Sequence, residues 1–365
     1  MGITGFYSIF KKKFRHAIRD KSLNDYFDVI AFDMNQWMHR RFQNNPITLA
    51  EEAVEMILST ARENRAKTVL VVQDGPCPYP KLRLQRERRE KSKRYDITVG
   101  SDYMKAFDFQ LKKKLATLHL TVYYSDTQVP GEGEHKITAL IQKLQLRNVM
   151  VVCIDADFLV LAILNKLKDV FVWRQCGHYY SDIIDMNQVS VDNVTNFFIN
   201  TCLLGNDFLP TTTLKLQCEN YVDDEGKFCI EKLCRGRSVN ASSVSFVVYL
   251  QWCLDYYLNY QVTWIPGCNP PGKLSLADLV DSHVTIPPTA RIPSPAYMET
   301  VEFQLMTVLP VSHFPSYLKM YFDDVVTHYL TPEIIEGFLD FWSVLFDNDI
   351  RCRPICVKMY RRPIH

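Results

Sequence analysis

The sequence predicts an α/β domain with a mainly parallel central sheet flanked by helices, followed by a mostly helical C-terminal lobe. Three observations predict it. Short, unbroken apolar runs recur through the N-terminal half, as expected of strands buried on both faces. Longer amphipathic stretches separate them, the alternation of an α/β sheet domain. From about residue 211 the alternation gives way to long apolar helical segments around a Pro-rich stretch. The 365 residues suffice for two domains, placed at 1–215 and 216–365.

The strands come first. "DVIAFD" (28–33), "TVLVVQD" (68–74) and "VMVVCID" (149–155) are each apolar and end on an aspartate. Segments 47–65 and 134–147 read as the intervening helices. In the second half, "SFVVYLQWCLDYYLNY", "PAYMETVEFQLMTVLP" and "PEIIEGFLDFWSVLF" read as helices. Residues 265–297 carry "PGCNPPG" and "IPPTARIPSP" and are expected to be extended loop or linker.

Composition narrows the function classes. Lys+Arg is 42 and Asp+Glu is 41, so any charge signal must be local. No apolar run reaches membrane-spanning length. The N-terminal glycine is not set up for myristoylation, because the sixth position is Phe6 rather than Ser or Thr. The 11 cysteines, without a secretory leader, read as free thiols of a reduced, intracellular protein. Neither Cys218, Cys229 and Cys234 nor Cys352 and Cys356 has the paired short spacing of a zinc site.

The acids carry the local signal. In a parallel sheet, ligands gather at the carboxyl ends of the strands, and three strands end on Asp33, Asp74 and Asp155, with Asp157 close behind. Each alone serves equally well as a helix N-cap or turn former. "VPGEGEHKI" (129–137) adds Glu132 and Glu134 on a Pro-Gly turn entering a helix. "TCLLGNDFLP" (201–210) adds Asp207 where a helix breaks at Gly205. Seven carboxylates at one edge raise one another's pKa unless cations sit among them. An all-oxygen donor set selects hard ions, Mg²⁺ or Mn²⁺. Their number suggests two ions acting on a phosphodiester.

Beside them, "KLRLQRERREKSKR" (81–94) holds eight basic and two acidic residues. At helical spacing Lys81, Gln85, Arg88 and Arg89 share a face. The ordinary reading is a solvated charged helix. Its start near Asp74 favours phosphate binding instead. His39 and Trp264 are aromatic candidates for stacking bases without reading them.

These segments together resemble the Xrn-type 5′→3′ exoribonucleases, relatives of the flap endonucleases with a PIN-like nuclease core. The resemblance rests on "MGITGFYSIF", "FDMNQWMH", "QDGPCPYPKLRLQRERR", "PGEGEHKI", "IDADFLVLAI" and "LLGNDFLP", and farther on "YLQWCLDYY" and "METVEFQLMTVLP". It implies that the seven acids are metal ligands. It also implies that Lys81, Gln85, Arg88 and Arg89 form a pocket for a 5′-monophosphate, and that His39 and Trp264 stack bases. The implied activity is processive release of mononucleotides from single-stranded RNA with a 5′-monophosphate. A decapping enzyme would supply such ends to a monomer in the cytoplasm, the nucleus or a virus being other settings. Family members are normally longer, so this is expected to be a compact member. The rivals are a structure-specific 5′ flap DNA nuclease and an inactive RNA-binding or scaffold relative.

Overall fold

The computed structural model describes residues 3, 5–176, 180–209, 241–258, 264–266, 291–293, 301–310 and 313–316. A seven-stranded sheet forms its centre. The strands are β1 (Ile18–Asp20), β2 (Val29–Asp33), β3 (Thr68–Val72), β4 (Thr121–Ser125), β5 (Val149–Val152), β6 (Val170–Cys176) and β7 (Tyr180–Asp185). Their order is β1-β7-β6-β5-β2-β3-β4. Neighbours from β6 through β4 pair in parallel, while β7 pairs antiparallel with β6 and β1 antiparallel with β7. The expected mainly parallel sheet is therefore present. The three predicted strands form within their runs, but β3 and β5 stop at Val72 and Val152 and leave Asp74 and Asp155 in the turns beyond.

Among the described residues, nine α-helices lie within 6–202 and 241–258: α1 (Phe6–Lys13), α2 (Met34–Arg41), α3 (Pro46–Glu63), α4 (Tyr79–Ser92), α5 (Asp102–Leu115), α6 (Gly133–Lys143), α7 (Asp157–Leu164), α8 (Val194–Cys202) and α9 (Ala241–Leu258). A further helix, α10 (Val301–Val308), packs on α4. The strand period of two sorts the core into two layers. Val29, Ala31, Leu70, Val72, Val149 and Val151 face the layer holding α1, α6, α7, α8 and α9. Ile30, Phe32, Val69, Val71 and Met150 face α2, α3 and α5. Burial on both faces explains why these strands read as unbroken apolar runs. α7 is buried along its whole length, so it too lacks a polar face. The start of α3 is fixed locally: the Asn45 side chain accepts from the Ile47 and Thr48 N–H groups, and Pro46 occupies the first turn.

In the second half, α9 and α10 lie where helices were expected. Within the Pro-rich stretch, β8 (Trp264–Pro266) pairs antiparallel with β9 (Arg291–Pro293), so part of the expected loop is a short ribbon. A two-stranded ribbon tolerates its prolines because both strands are edges. The rest of that stretch, the predicted helix at 332–346, Cys218, Cys229, Cys234 and the cysteines beyond residue 253 lie outside the described residues. Among the described residues, Cys77, Cys153, Cys202 and Cys253 are buried free thiols. No described helix is long and apolar enough to cross a membrane.

Candidate metal and nucleic-acid site

The chain builds β2, β3 and β4 outward in one direction, then returns to place β5 and β6 on the other side of β2. That reversal opens a crevice at the carboxyl ends of β2 and β5, the usual ligand position in open parallel sheets. Asp33 ends β2 beside it, Asp74 follows β3, and Asp155 and Asp157 follow β5. Helix α6 brings Glu132 as its N-cap and Glu134 in its first turn. Asp207 comes from the turn after α8, which Gly205 opens at φ 86° and Asn206 braces by accepting from the Phe208 and Leu209 N–H groups.

Several acids do the local jobs that the sequence also allowed. Asp33 Oδ1 caps α2 by accepting from the Asn35 N–H at 3.1 Å. Asp155 Oδ1 accepts from the Asp157 N–H at 3.3 Å. Asp74 Oδ1 reaches farther, accepting from the Gly133 N–H at the start of α6 at 2.7 Å. The capping and clustering readings are thus compatible: the caps hold the carboxylates where they meet.

Electrostatics records the meeting. Burial drives Asp33 well above the usual carboxylate range, and Asp74, Asp155 and Glu132 add to the shift. Glu134 is likewise raised by burial and then by Glu132, Asp155 and Asp157. Burial pushes Asp157 up to about 8, helped by Asp155 and Asp207. Asp74 and Asp155 are raised too, burial again leading. Asp207 goes the other way: burial would raise it, but Lys81 and Arg88 outweigh that and hold it below its ordinary value.

The cations come from α4. Lys81 Nζ bridges Glu132 and lies 3.2 Å from Asp207, and Arg88 Nη2 lies 2.8 Å from Asp207. Burial would lower Lys81, but Glu132, Asp207 and Glu134 keep it firmly protonated. Arg89 is buried and turned elsewhere, donating to Thr98 Oγ1 at 3.0 Å and to the Ile97 carbonyl at 3.1 Å. Gln85 is half-buried on the same helix. His39 is exposed at the end of α2, where its carbonyl accepts from Arg94. Trp264 opens β8, and its side chain lies outside the described residues.

Hard divalent cations fit this site. The donors are carboxylate oxygens, and the raised pKa values of Asp33, Asp74, Glu134, Asp155 and Asp157 mark a charge density that protein groups only partly offset. Room has also been left for them to approach α6. A Cβ on Gly133 would stand 2.9 Å from Asp33 Oδ1 and 3.4 Å from Asp74 Oδ1. The middle residue of "EGE" therefore lets two aspartates close on the helix start.

Sequence reasoning passed over four contributors. Tyr256 and Tyr257, on α9, donate to Glu132 and to Asp157 Oδ2, the latter at 3.1 Å. His135 packs its ring on Tyr256, centroids 4.2 Å apart, and burial pushes its imidazole down to about 4. The Ile3 N–H donates to Asp157 Oδ1 at 3.0 Å. The signal for the tyrosines was their place in an apolar helix, since a buried phenol needs a partner for its hydroxyl.

Comparison with known proteins agrees with part of this. The family described as XRN 5′-3′ exonuclease N-terminus matches residues 1–116 and 90–176. Among curated protein sequences, none matches. Among solved structures, the catalytic core of Rad2 in complex with DNA substrate is 16% identical, with a TM-score of 0.41. That alignment covers 56% of this chain and 62% of the Rad2 core, so the chain spans about three fifths of it. The bacteriophage T5 flap endonuclease, in a pseudo-enzyme-product complex with DNA and metal ions, is 13% identical with a TM-score of 0.34, covering 86% of this chain and 97% of that one. Such scores are too low to assign a fold or a function. Over residues 1–176, just under half of its length, the chain is similar to the XRN 5′-3′ exonuclease N-terminus family.

Proposed function

We propose that this protein is a divalent-metal-dependent 5′→3′ exoribonuclease that releases mononucleotides from RNA bearing a 5′-monophosphate. The observation that carries the reading is the approach of Lys81 to Glu132 and Asp207, and of Arg88 to Asp207, beside buried acids that raise one another's pKa. A basic helix bordering a carboxylate cluster suits a polyanion gripped at its end and cut nearby.

Asp33, Asp74, Glu132, Glu134, Asp155, Asp157 and Asp207 would hold the metal, Mg²⁺ or Mn²⁺, as two ions. When bound, these ions supply the positive charge that attack on a phosphodiester requires. The chain's own residues do the rest. Lys81, Gln85 and Arg88 hold the terminal phosphate, and Arg89 joins them once it leaves Thr98 and Ile97. An ammonium has three donors and a guanidinium five, so Lys81 and Arg88 can serve a carboxylate and a phosphate together. His39 and Trp264 stack the first bases without reading them. A pocket sized for a monophosphate excludes a cap or triphosphate. On this reading the protein acts as a cytoplasmic monomer downstream of a decapping enzyme.

The test is digestion of end-labelled RNA carrying a 5′-monophosphate, hydroxyl or cap, with and without EDTA, beside a labelled 5′ flap DNA. Release of mononucleotides from the monophosphate RNA alone, abolished by EDTA, is expected. Preferential cutting of the flap DNA would make the protein a structure-specific DNA nuclease. Binding without cutting would make it an RNA-binding relative.

A further inference from the structure

The helix that completes the carboxylate cluster lies outside the matched family region. α9 spans Ala241–Leu258, and its last turn sets two adjacent tyrosines against two different acids. Tyr256 donates to Glu132 Oε2, and Tyr257 donates to Asp157 Oδ2 at 3.1 Å. Each acid's other oxygen is also held: Glu132 Oε1 by Lys81 and Asp157 Oδ1 by the Ile3 N–H. One donor on each oxygen fixes the plane of a carboxylate and still leaves each oxygen a second lone pair for a cation.

The tyrosines are themselves held in place. Trp252 is fully buried and stacks on Tyr256, with centroids 5.2 Å apart and planes 9° apart. Phe208, the neighbour of Asp207, meets Trp252 edge-on at 4.8 Å. His135, the neighbour of Glu134, packs on Tyr256 at 4.2 Å and on Tyr257 at 5.8 Å. The Tyr257 carbonyl accepts from Asn165 Nδ2 at 3.0 Å, which ties α9 to the end of α7. Burial, with Glu132 and Asp157 next in effect, keeps both phenols protonated, so both remain donors.

We propose that Tyr256 and Tyr257 are positioning residues for the metal site, their hydroxyls orienting Glu132 and Asp157 so that both carboxylates present a lone pair to the same cation cluster. This rests on the metal reading of the seven acids. It assigns α9 a role beyond packing: the segment after residue 240 completes the geometry of a site whose acids all lie before residue 208. Outer donors of this kind set the orientation and basicity of metal-binding carboxylates, and their loss typically costs about 10–100-fold in metal affinity or activity.

The experiment is Mn²⁺ binding by the full chain, read from the free-ion EPR signal, for the wild type, Tyr256→Phe and Tyr257→Phe. Both variants keep the ring and lose only the hydroxyl. Thermal melting in EDTA is recorded for each, because a purely structural role would lower the melting temperature without changing affinity in the folded protein. The expected result is a rise of about tenfold or more in the Mn²⁺ dissociation constant of each variant. If one variant fails to fold, the other decides. Affinities within twofold of a wild type that does bind Mn²⁺ would overturn the positioning role and leave the metal reading standing. A wild type that takes up no Mn²⁺ would overturn both.

Discussion

Replacing Gly133 with alanine separates the stability of this fold from the geometry of its acidic site. The new Cβ would stand 2.9 Å from Asp33 Oδ1, 3.1 Å from its Cγ and 3.4 Å from Asp74 Oδ1. Ordinary contact begins at 3.4 Å, so Asp33 must retreat by about 0.5 Å. It cannot swing away freely, because it is buried and caps α2 through the Asn35 N–H. Weakening that cap costs roughly 0.5–2 kcal/mol. Against this, alanine is favoured over glycine in a helix by up to about 1 kcal/mol, less at a first position such as this one. The two nearly cancel, leaving a net loss of about 1 kcal/mol or less and a melting shift of roughly 2–4 °C. The site does not share in the cancellation. Displaced carboxylates should cost about 10–100-fold in Mn²⁺ affinity, and a shift of this order near reacting atoms up to about 100-fold in cleavage. The assay is release of labelled nucleotide from 5′-monophosphate RNA across a Mn²⁺ titration, with melting followed in parallel. A Gly133→Ala protein that cleaved within threefold of wild type at limiting Mn²⁺ would refute the idea that this glycine makes room for the aspartates.

Other expectations follow from the same geometry. Asp33→Asn should abolish cleavage yet raise the melting temperature in EDTA at alkaline pH, where the buried carboxyl would otherwise be forced to ionise among like charges; a lower melting temperature there would count against repulsion. The metal-free protein should lose stability as pH rises from about 4 to about 8: the folded state holds the Asp157 proton up to about 8, whereas the unfolded chain releases it near 3.8, so folding binds protons throughout that window. Melting in EDTA across that range checks the sign, and Asp157→Asn should flatten the slope. Arg88→Ala should reduce discrimination between phosphorylated and hydroxyl 5′ ends in a competition digest. Gly75→Ala should cost about 3 kcal/mol or more in a denaturant melt, because its Cβ would fall 1.8 Å from the backbone carbonyl of Val129, which cannot rotate away.

What could be read in the sequence and what could not divide along a physical line. The strands were visible because burial on both faces leaves an unbroken apolar run, as in "VIAFD", where every residue is buried. The neighbourhood of Asp33, Asp74 and Asp155 was visible because parallel strands deliver their last or following residues to one edge. Their exact stations were not, since Asp74 and Asp155 sit beyond the strand ends and their place depends on partners such as Gly133 that are remote in sequence. Helical spacing put Lys81, Gln85, Arg88 and Arg89 on one face, but it could not foresee that Arg89 would be drawn to Thr98 and Ile97 while Arg88 reached Asp207. A long flexible side chain takes the direction its partner dictates.

The tyrosines of α9 press the point further. Apolar periodicity reports that a helix is buried, and "YLQWCLDYY" is apolar enough to be read that way alone. A hydroxyl inside such a helix carries a second message, because burying it unpaired costs roughly 1–3 kcal/mol. Two phenols in succession point in different directions around a helix, about 100° apart, so two separate acceptors must be waiting. In this protein they are Glu132 and Asp157, more than 90 residues earlier in the chain and on different helices. The cost of burying a polar group is thus what makes a distant carboxylate inferable from a local pair of tyrosines, and it is also what would hold that carboxylate still for a cation.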